Sequence, residues 1–173
     1  MTWTVENSKN DESSKVRWEI VPYMHGRMLD IGCGPYKVLP WAIGVDSGHH
    51  WGMMGVDVRV EDGAKLDLFT SQSCDTVYSS HLLEHFDYER VPDVLNEWMR
   101  VLKKGGHLIL YVPDEAEYPP VGHPHANPDH RWNVNYDKVV AALEKVDYSW
   151  DMVDFQKRNQ DDEYSLYFVV KKL

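Results

Sequence analysis

Short apolar runs in this sequence are followed by glycines or aspartates, residue types that suit the binding of a nucleoside. The run RMLDI leads into Gly32 and Gly34. The run WAIGV ends at Asp46, and Asp62 follows the run VDVRV. Glycines let a backbone approach a ligand closely because they lack a Cβ. A carboxylate after a strand can accept hydrogen bonds from the hydroxyls of a ribose, and one at Asp62 could receive the amino group of adenine.

Each of these signals has an ordinary alternative when it is taken alone. Paired glycines form tight turns, and an aspartate after a strand often caps a helix or forms a turn. The stronger observation is the order of the three signals, which fall at three successive strand ends. This order predicts a nucleoside-binding cleft.

Histidines are the candidates for proton transfer, because imidazole titrates near neutral pH. His81 follows a fourth apolar run, CDTVYSS, and is predicted to act as a general base. An equally supported alternative is that His81 and His85 only satisfy hydrogen bonds at a helix start or in the core. His123, His125 and His130 crowd one loop, but their H-x-H-x4-H spacing matches no closed zinc site. No metal site is predicted, and substrate contacts or a solvated loop are favoured for this loop.

The elements that must position these residues alternate between strands and helices. An N-terminal helix is expected from Ser13 or Ser14 to about Met24, and the runs VPDVLNEWMRVLKK and YDKVVAALEKV have helical spacing of apolar residues. HLILYVP is a further buried strand, and YSWDMVDF and YSLYFVV form a terminal hairpin. This alternation predicts an α/β fold with a doubly wound, mainly parallel sheet and an antiparallel terminal strand. Ligands bind such sheets at the carboxyl ends of the strands.

Five motifs together resemble the class I S-adenosylmethionine-dependent methyltransferases, especially the small bacterial and phage-type, type 11-like branch. They are MLDIGCGP, AIGVD, EDGAKLDLF, CDTVYSSHLLEHF and EWMRVLKKGGHLILYVPD. The resemblance implies a seven-stranded Rossmann-like sheet in the order 3-2-1-4-5-7-6. It also implies S-adenosylmethionine as cofactor and transfer of a methyl group to an oxygen or nitrogen atom of a small-molecule or saccharide acceptor.

The resemblance also implies roles for particular residues. Asp30, Gly32 and Gly34 would frame the methionine part of the cofactor, and Asp46 would hold the ribose hydroxyls. Asp62, Gly63 and Ala64 would meet the adenine. Ser79, Ser80 and His81 would lie beneath the sulfonium and the substrate, with His85 and His130 on the substrate side.

The sequence departs from this family in its first two connections. Asp46 comes only about a dozen positions after Gly34, and a crossover with a helix needs about that many residues by itself. The stretch SGHHWGMMG after Asp46 likewise has no helical pattern. Reduced helices on one face of the sheet are therefore expected. Either the N-terminal helix and the apolar connections cover that face, or a second chain does, and a symmetric homodimer is the favoured expectation.

The composition limits the remaining choices. The 173 residues fit one domain, residues 1–173, with a polar and flexible segment at residues 1–12. A net charge of −10 argues against nucleic acid and an anionic membrane as partners. Two cysteines are too few for a disulfide framework, which favours a cytoplasmic location.

Two other functions stay open. A nicotinamide-dependent oxidoreductase would need a third glycine and a helix start for the pyrophosphate, and neither follows Gly34. A non-catalytic module that only binds the nucleoside is compatible with every motif above.

Overall fold

The computed structural model describes residues 12–50 and 52–173. The flexible segment predicted at residues 1–12 therefore lies outside the described residues, apart from Glu12, which begins the first helix. The helices are α1 (Glu12–Ile20), α2 (Val91–Val101) and α3 (Tyr136–Leu143), with short 3-10 turns at Val21–Tyr23, Leu83–His85 and Tyr88–Arg90. The strands are β1 (Met28–Ile31), β2 (Ile43–Asp46), β3 (Val58–Arg59), β4 (Cys74–Ser80), β5 (Leu102–Pro113), β6 (Trp150–Arg158) and β7 (Ser165–Lys172). No helix within these ranges has the length and apolar character to cross a membrane.

The seven strands form one sheet in the order β3-β2-β1-β4-β5-β7-β6, which confirms the predicted order. The pairs from β3 to β5 are parallel, and β7 runs antiparallel to both of its neighbours. Ile31 at the end of β1 pairs with Val45 on one side and Ser79 on the other. The carboxyl ends of β1, β2 and β4 therefore meet at one edge of the sheet, where the sequence predicts the cleft.

Helix α2 packs its predicted apolar stripe into the larger core and ends earlier than the sequence predicts. Trp98 and Met99 are fully buried in that core. Leu102 already has extended backbone angles and begins β5, so the strand starts five residues before the predicted run HLILYVP. Lys172 of β7 donates hydrogen bonds from Nζ to the carbonyl oxygens of Met99 and Leu102, at 2.7 and 2.8 Å. This contact from the other end of the chain satisfies two carbonyl groups where the helix ends.

The connection between β1 and β2 crosses residues 32–42 without a helix, as predicted. Asp30 Oδ2 accepts a hydrogen bond from the Val38 N–H at 2.6 Å, and the Arg17 Nε donates to the Val38 carbonyl. Both polar groups of the Val38 backbone are thus satisfied although the residue is buried. The next connection, in its described residues 47–50 and 52–57, also has no helix, and β3 has only two residues.

Helix α1 and the β1–β2 connection together cover the sheet face that the short connections leave without standard helices. Val16 and Ile20 pack with Val38 and Leu39 in a second core. The sheet side of this core is formed by Met28, Tyr78, Ile109, Tyr111, Tyr167 and Val169. Of the two ways to close this face, the structure shows closure by the chain itself. This closure removes the main reason for expecting a homodimer.

Substitutions on the two sides of α1 test this packing. Ile20 is fully buried, whereas Trp18 is 77% exposed. We expect Ile20→Ala to lower the free energy of unfolding by about 2–5 kcal/mol, because it removes buried methyl groups and leaves a cavity. Trp18→Ala should change it by less than about 0.5 kcal/mol. Urea denaturation measures both values, and equal losses in the two variants would contradict the assigned orientation of α1.

Candidate active site

A cavity of about 260 Å³ lies at the carboxyl ends of β1, β2 and β3. Its walls bring together many of the residues that the sequence places at strand ends. They include Gly32, Gly34, Asp46, Asp62, Gly63, His81 and His85, together with Ser47, His50, Glu61, Leu82 and Phe86. The predicted nucleoside cleft is therefore present as a geometric feature of the sheet edge.

The two glycines after β1 have backbone conformations that side chains disfavour. Gly32 has φ +75°, and a Cβ there would lie 2.8 Å from the Leu82 Cδ2. Gly34 has φ +52°, and its N–H donates to Asp46 Oδ2 at 3.0 Å. Both positions need glycine for the turn, and the turn brings the backbone to the cavity wall.

Asp46 is held in a fixed orientation at the end of β2. Its Oδ2 accepts a hydrogen bond from the Gly34 N–H, and its Oδ1 accepts one from the Gly48 N–H at 2.8 Å. A carboxylate has about four lone-pair positions, so about two remain for a ligand. The residue can therefore accept hydrogen bonds from two vicinal hydroxyls without rotating.

Asp62 is fixed in a similar way on the opposite wall. Its Oδ1 accepts a hydrogen bond from the Ala64 N–H, and its Oδ2 accepts one from Arg90 Nη2, both at 3.0 Å. Burial raises the pKa of Asp62, but these two bonds outweigh burial, so its pKa lies below the usual range. The Gly63 carbonyl accepts a hydrogen bond from the Trp98 indole at 2.8 Å, which ties this wall to α2. Ala64 contributes the backbone N–H that donates to Asp62, and it is not among the lining residues of this cavity.

Asp30 and Ser79 lie behind the cavity rather than on its described walls. Asp30 is buried and accepts the hydrogen bond from Val38, and Ser79 Oγ donates to the Ile31 carbonyl at 3.0 Å. Both residues support the end of β1 and line neither cavity among the described residues, and direct contact of either with the cofactor stays a prediction. Ser80 lies on a second cavity, and its buried Oγ has no hydrogen-bond partner among the described residues.

The second cavity, of about 580 Å³, adjoins the first and has a more aromatic wall. Both cavities are lined by Gly32, His81 and His85. Further lining residues are Glu12, Ser13, Cys33, Pro35, Tyr36, Ser80, Tyr118, Asn127, His130 and Tyr164. No sequence pattern pointed to Glu12, Tyr118 or Tyr164, because the packing of α1 and two distant loops brings them here.

His81 stands between the two cavities in a left-handed backbone conformation, with φ +47°. Its Nε2 shares a hydrogen bond with Ser165 Oγ at 3.0 Å, and its Nδ1 lies 3.5 Å from Glu84 Oε1. Burial, followed by the nearby His130 and Lys15, lowers the pKa of His81 to about 3. The ring is therefore neutral near pH 7, but both of its nitrogens face protein groups. The role of His81 as a base stays a prediction, because Nε2 is bonded to Ser165 whereas the contact of Nδ1 with Glu84 is outside hydrogen-bond geometry.

Glu84 lies inside the quoted motif CDTVYSSHLLEHF, yet the sequence analysis assigned it no role. It is fully buried, and neither carboxylate oxygen has a hydrogen-bond partner among the described residues. Burial raises the pKa of Glu84 to about 8. His130 is also buried, and burial followed by the charge of His85 lowers its pKa to about 4. The sequence signal that could have found Glu84 is its position beside His85 in an otherwise apolar segment.

The three histidines of the histidine-rich loop occupy different environments in the structure. His130 is buried and lines the second cavity, whereas His123 and His125 are exposed and line neither cavity among the described residues. The rings of His123 and His125 lie against each other, with 5.5 Å between centroids. The three histidines therefore do not act as one group.

Comparisons with known proteins agree with the fold. A family model described as a methyltransferase domain matches residues 29–110. A structure from Archaeoglobus fulgidus, described as a SAM-dependent methyltransferase, is 20% identical with a TM-score of 0.72, and the alignment covers 97% of each chain. One from Mesorhizobium loti, described in similar terms, is 14% identical with a TM-score of 0.69, covering 94% of this chain and 99% of that chain.

A third similar structure comes from Thermotoga maritima and is described as a SAM-dependent methyltransferase, a possible histamine N-methyltransferase. It is 18% identical with a TM-score of 0.68, and the alignment covers 91% of this chain and 88% of that chain. No curated protein matches the sequence. Residues 29–110 therefore match a methyltransferase domain, and this match together with the fold supports a class I S-adenosylmethionine-dependent methyltransferase. S-adenosylmethionine is accordingly its cofactor.

Asp46 provides a direct test of the cofactor site. We expect Asp46→Asn to weaken S-adenosylmethionine binding by about 1–3 kcal/mol, because hydrogen bonds to a charged oxygen are lost. Asp57 is a matched control, since its carboxylate also accepts a backbone N–H, from Gly44, but does not line the cavity. Asp57→Asn should leave the affinity within about threefold of the parent, the scale of a few tenths of a kcal/mol. Calorimetric titration measures both, and an unchanged affinity in folded Asp46→Asn would remove Asp46 from the site.

Proposed function

We propose that the chain transfers a methyl group to an oxygen or nitrogen atom of a small polar acceptor, a class that includes saccharides. The observation that carries this proposal is the junction of the two cavities, which share Gly32, His81 and His85. A cofactor in the first cavity and an acceptor in the second would meet at these residues. The chemistry requires this arrangement, because the methyl group passes directly between the two molecules.

The residues of the first cavity suit each part of the cofactor in turn. Asp62 and Gly63 fit the adenine end, Asp46 fits the ribose, and the backbone at Gly32 and Gly34 fits the methionine end. When bound, S-adenosylmethionine supplies a methyl group on a cationic sulfonium. Carboxylates on the cavity walls favour a cationic ligand, as does the net charge of −10.

Alignment is the main contribution that these residues can make to the reaction. The acceptor atom forms its bond to the methyl carbon as the sulfur–carbon bond breaks, and the acceptor then loses a proton. Holding two reactants in line supplies about 7–11 kcal/mol in model systems. His81 suits this positioning role, since Ser165 and the flanking rings of Tyr111 and Tyr164 fix its ring at the junction.

The second cavity supports a small acceptor with both polar and apolar surfaces. Tyr36, Tyr118 and Tyr164 offer aromatic faces as well as hydroxyl groups. A sugar ring presents the same combination, which supports a saccharide among the acceptors. A nitrogen acceptor stays in the proposal because the Thermotoga maritima structure is described as a possible histamine N-methyltransferase.

The two other functions considered from the sequence fit the geometry less well. Residues 32–42 contain no helix, so no helix start faces the cavity after Gly34 to receive the pyrophosphate of a nicotinamide cofactor. A module that binds the cofactor without transfer is distinguished only by turnover. We would detect turnover as S-adenosylhomocysteine formed from methyl-labelled cofactor in the presence of hydroxyl-bearing or amine-bearing acceptor pools. Binding without transfer to any pool would favour the binding module.

The role of His81 is tested by His81→Asn, because asparagine tolerates the left-handed conformation. If His81 positions the reactants, turnover should fall by less than about 10-fold while cofactor affinity is retained. Loss of a general base would cost about 100-fold or more. His123→Asn is the matched control, since His123 is exposed and lines neither cavity. A 100-fold loss of turnover at unchanged affinity would contradict this modest positioning role and favour His81 as the base.

We also propose a homodimer and a cytoplasmic location, on narrower grounds. Trp41, Met53 and Met54 are large apolar side chains that remain exposed on the two short connections. Cys33 and Cys74 are buried free thiols, as expected in a reducing compartment. Sedimentation at micromolar concentration tests the dimer, and a single species near the 20.2 kDa of one chain would exclude it.

A further inference from the structure

A buried acid and two histidines converge beside the acceptor cavity. One ligand atom each from Glu84, His85 and His130 lies within 4.8 Å of the other two. His130 Nε2 is already 3.5 Å from Glu84 Oε1. The rings of His85 and His130 lie 5.2 Å apart between centroids.

Glu84 lacks the compensation that a buried carboxylate needs. It is 0% exposed, and neither oxygen makes a hydrogen bond within the described part of the chain. The titratable groups that approach it there are His81 and His130, each at 3.5 Å and outside hydrogen-bond geometry, and both rings are neutral near pH 7. A buried carboxylate is stable when it is paired or when it coordinates a metal ion. The structure therefore contains a buried carboxyl group without hydrogen-bond partners among the described residues, and a metal ion that displaced its proton would supply the missing partner.

The backbone holds the three residues together independently of their side chains. Glu84 and His85 are neighbours in the 3-10 turn Leu83–His85. The loop that carries His130 is tied to the same turn, because the Arg131 N–H donates to the Glu84 carbonyl at 2.8 Å. The His130 N–H donates in turn to the Asn127 carbonyl at 3.2 Å. The juxtaposition is thus part of the fold rather than a chance meeting of mobile side chains.

We propose that Glu84, His85 and His130 bind a divalent transition-metal ion, with Zn²⁺ as the first candidate. Two imidazoles and one carboxylate, without a thiolate, are a ligand set of catalytic zinc sites that keep a position open. In a tetrahedral site with bonds of about 2.1 Å, ligand atoms lie about 3.4 Å apart. The spacing of Glu84 and His130 already matches this value, and His85 needs only a small side-chain movement.

The open position of such a site would face the acceptor. Both His85 and His130 line the second cavity. A divalent ion there would bind an acceptor oxygen and lower the pKa of its hydroxyl group. This consequence rests on the proposed function, and it favours hydroxyl-bearing acceptors over amines.

The proposed site differs from the one that the sequence analysis considered and set aside. Of the H-x-H-x4-H histidines, only His130 contributes, and its partners come from the turn after β4. His123 and His125 are exposed, so they serve as a matched control for nonspecific binding of metal by surface histidines.

The test uses the whole chain after removal of metal with a chelator. Calorimetric titration with Zn²⁺ and visible absorption on addition of Co²⁺ should each show one site per chain. Glu84→Gln keeps the shape of the side chain and removes its charge, and it should weaken binding by about 100-fold or more. The double variant His123→Ala/His125→Ala should bind like the parent. Unchanged binding in Glu84→Gln, or loss of binding in the double variant, would overturn the proposal.

A second measurement keeps this proposal separate from the proposed function. The affinity for S-adenosylhomocysteine should be the same within about threefold in the metal-free chain, in Glu84→Gln and in the metal-loaded parent. The reason is that Glu84 does not line the first cavity. Saturating Zn²⁺ should raise the melting temperature of the parent and not that of Glu84→Gln. His130→Asn supplies a second ligand variant if Glu84→Gln does not fold. Metal binding without methyl transfer would refute the proposed function alone, whereas the absence of specific metal binding would refute the site alone.

Discussion

The helix-free connection between β1 and β2 is the constraint on which the rest of the structure depends. A chain that crosses between parallel strands in so few residues must bury polar backbone, and Asp30 and Arg17 satisfy the Val38 N–H and carbonyl groups. The same connection turns at Gly34, where the N–H meets Asp46. The hydrogen bond from the Gly34 N–H therefore belongs to the short crossover and also orients the Asp46 carboxylate, which is suited to a ribose.

The short connection also determines how the acceptor side is built. Because no helix follows β1, α1 occupies that face of the sheet and extends as far as the second cavity. There the Tyr164 hydroxyl donates to Glu12 Oε1 at 3.0 Å, and Lys15 lies over the Tyr164 ring. The loss of one standard helix and the aromatic wall of the second cavity thus both follow from the short connection between β1 and β2.

The sequence predicted the parts of the structure that depend on local pattern. Apolar runs identified the strands, and the positions of Asp46 and Asp62 after two of them placed both on the cavity. The sequence did not predict a role for Glu84, because the importance of an acid in a buried turn is recognised only when the groups around it are known. Asp30 has a strand-end position of the same kind, yet its side chain turns away from the cavity to the Val38 N–H. The direction of a single side chain is set by tertiary packing rather than by spacing along the chain.

The most direct test of this account is a crystal structure of the chain with S-adenosylhomocysteine. We expect adenine beside Asp62 and Gly63, the ribose hydroxyls on Asp46, and the sulfur atom directed at the junction formed by Gly32, His81 and His85. A nucleoside bound away from Asp46, or a sulfur atom facing away from the second cavity, would contradict it.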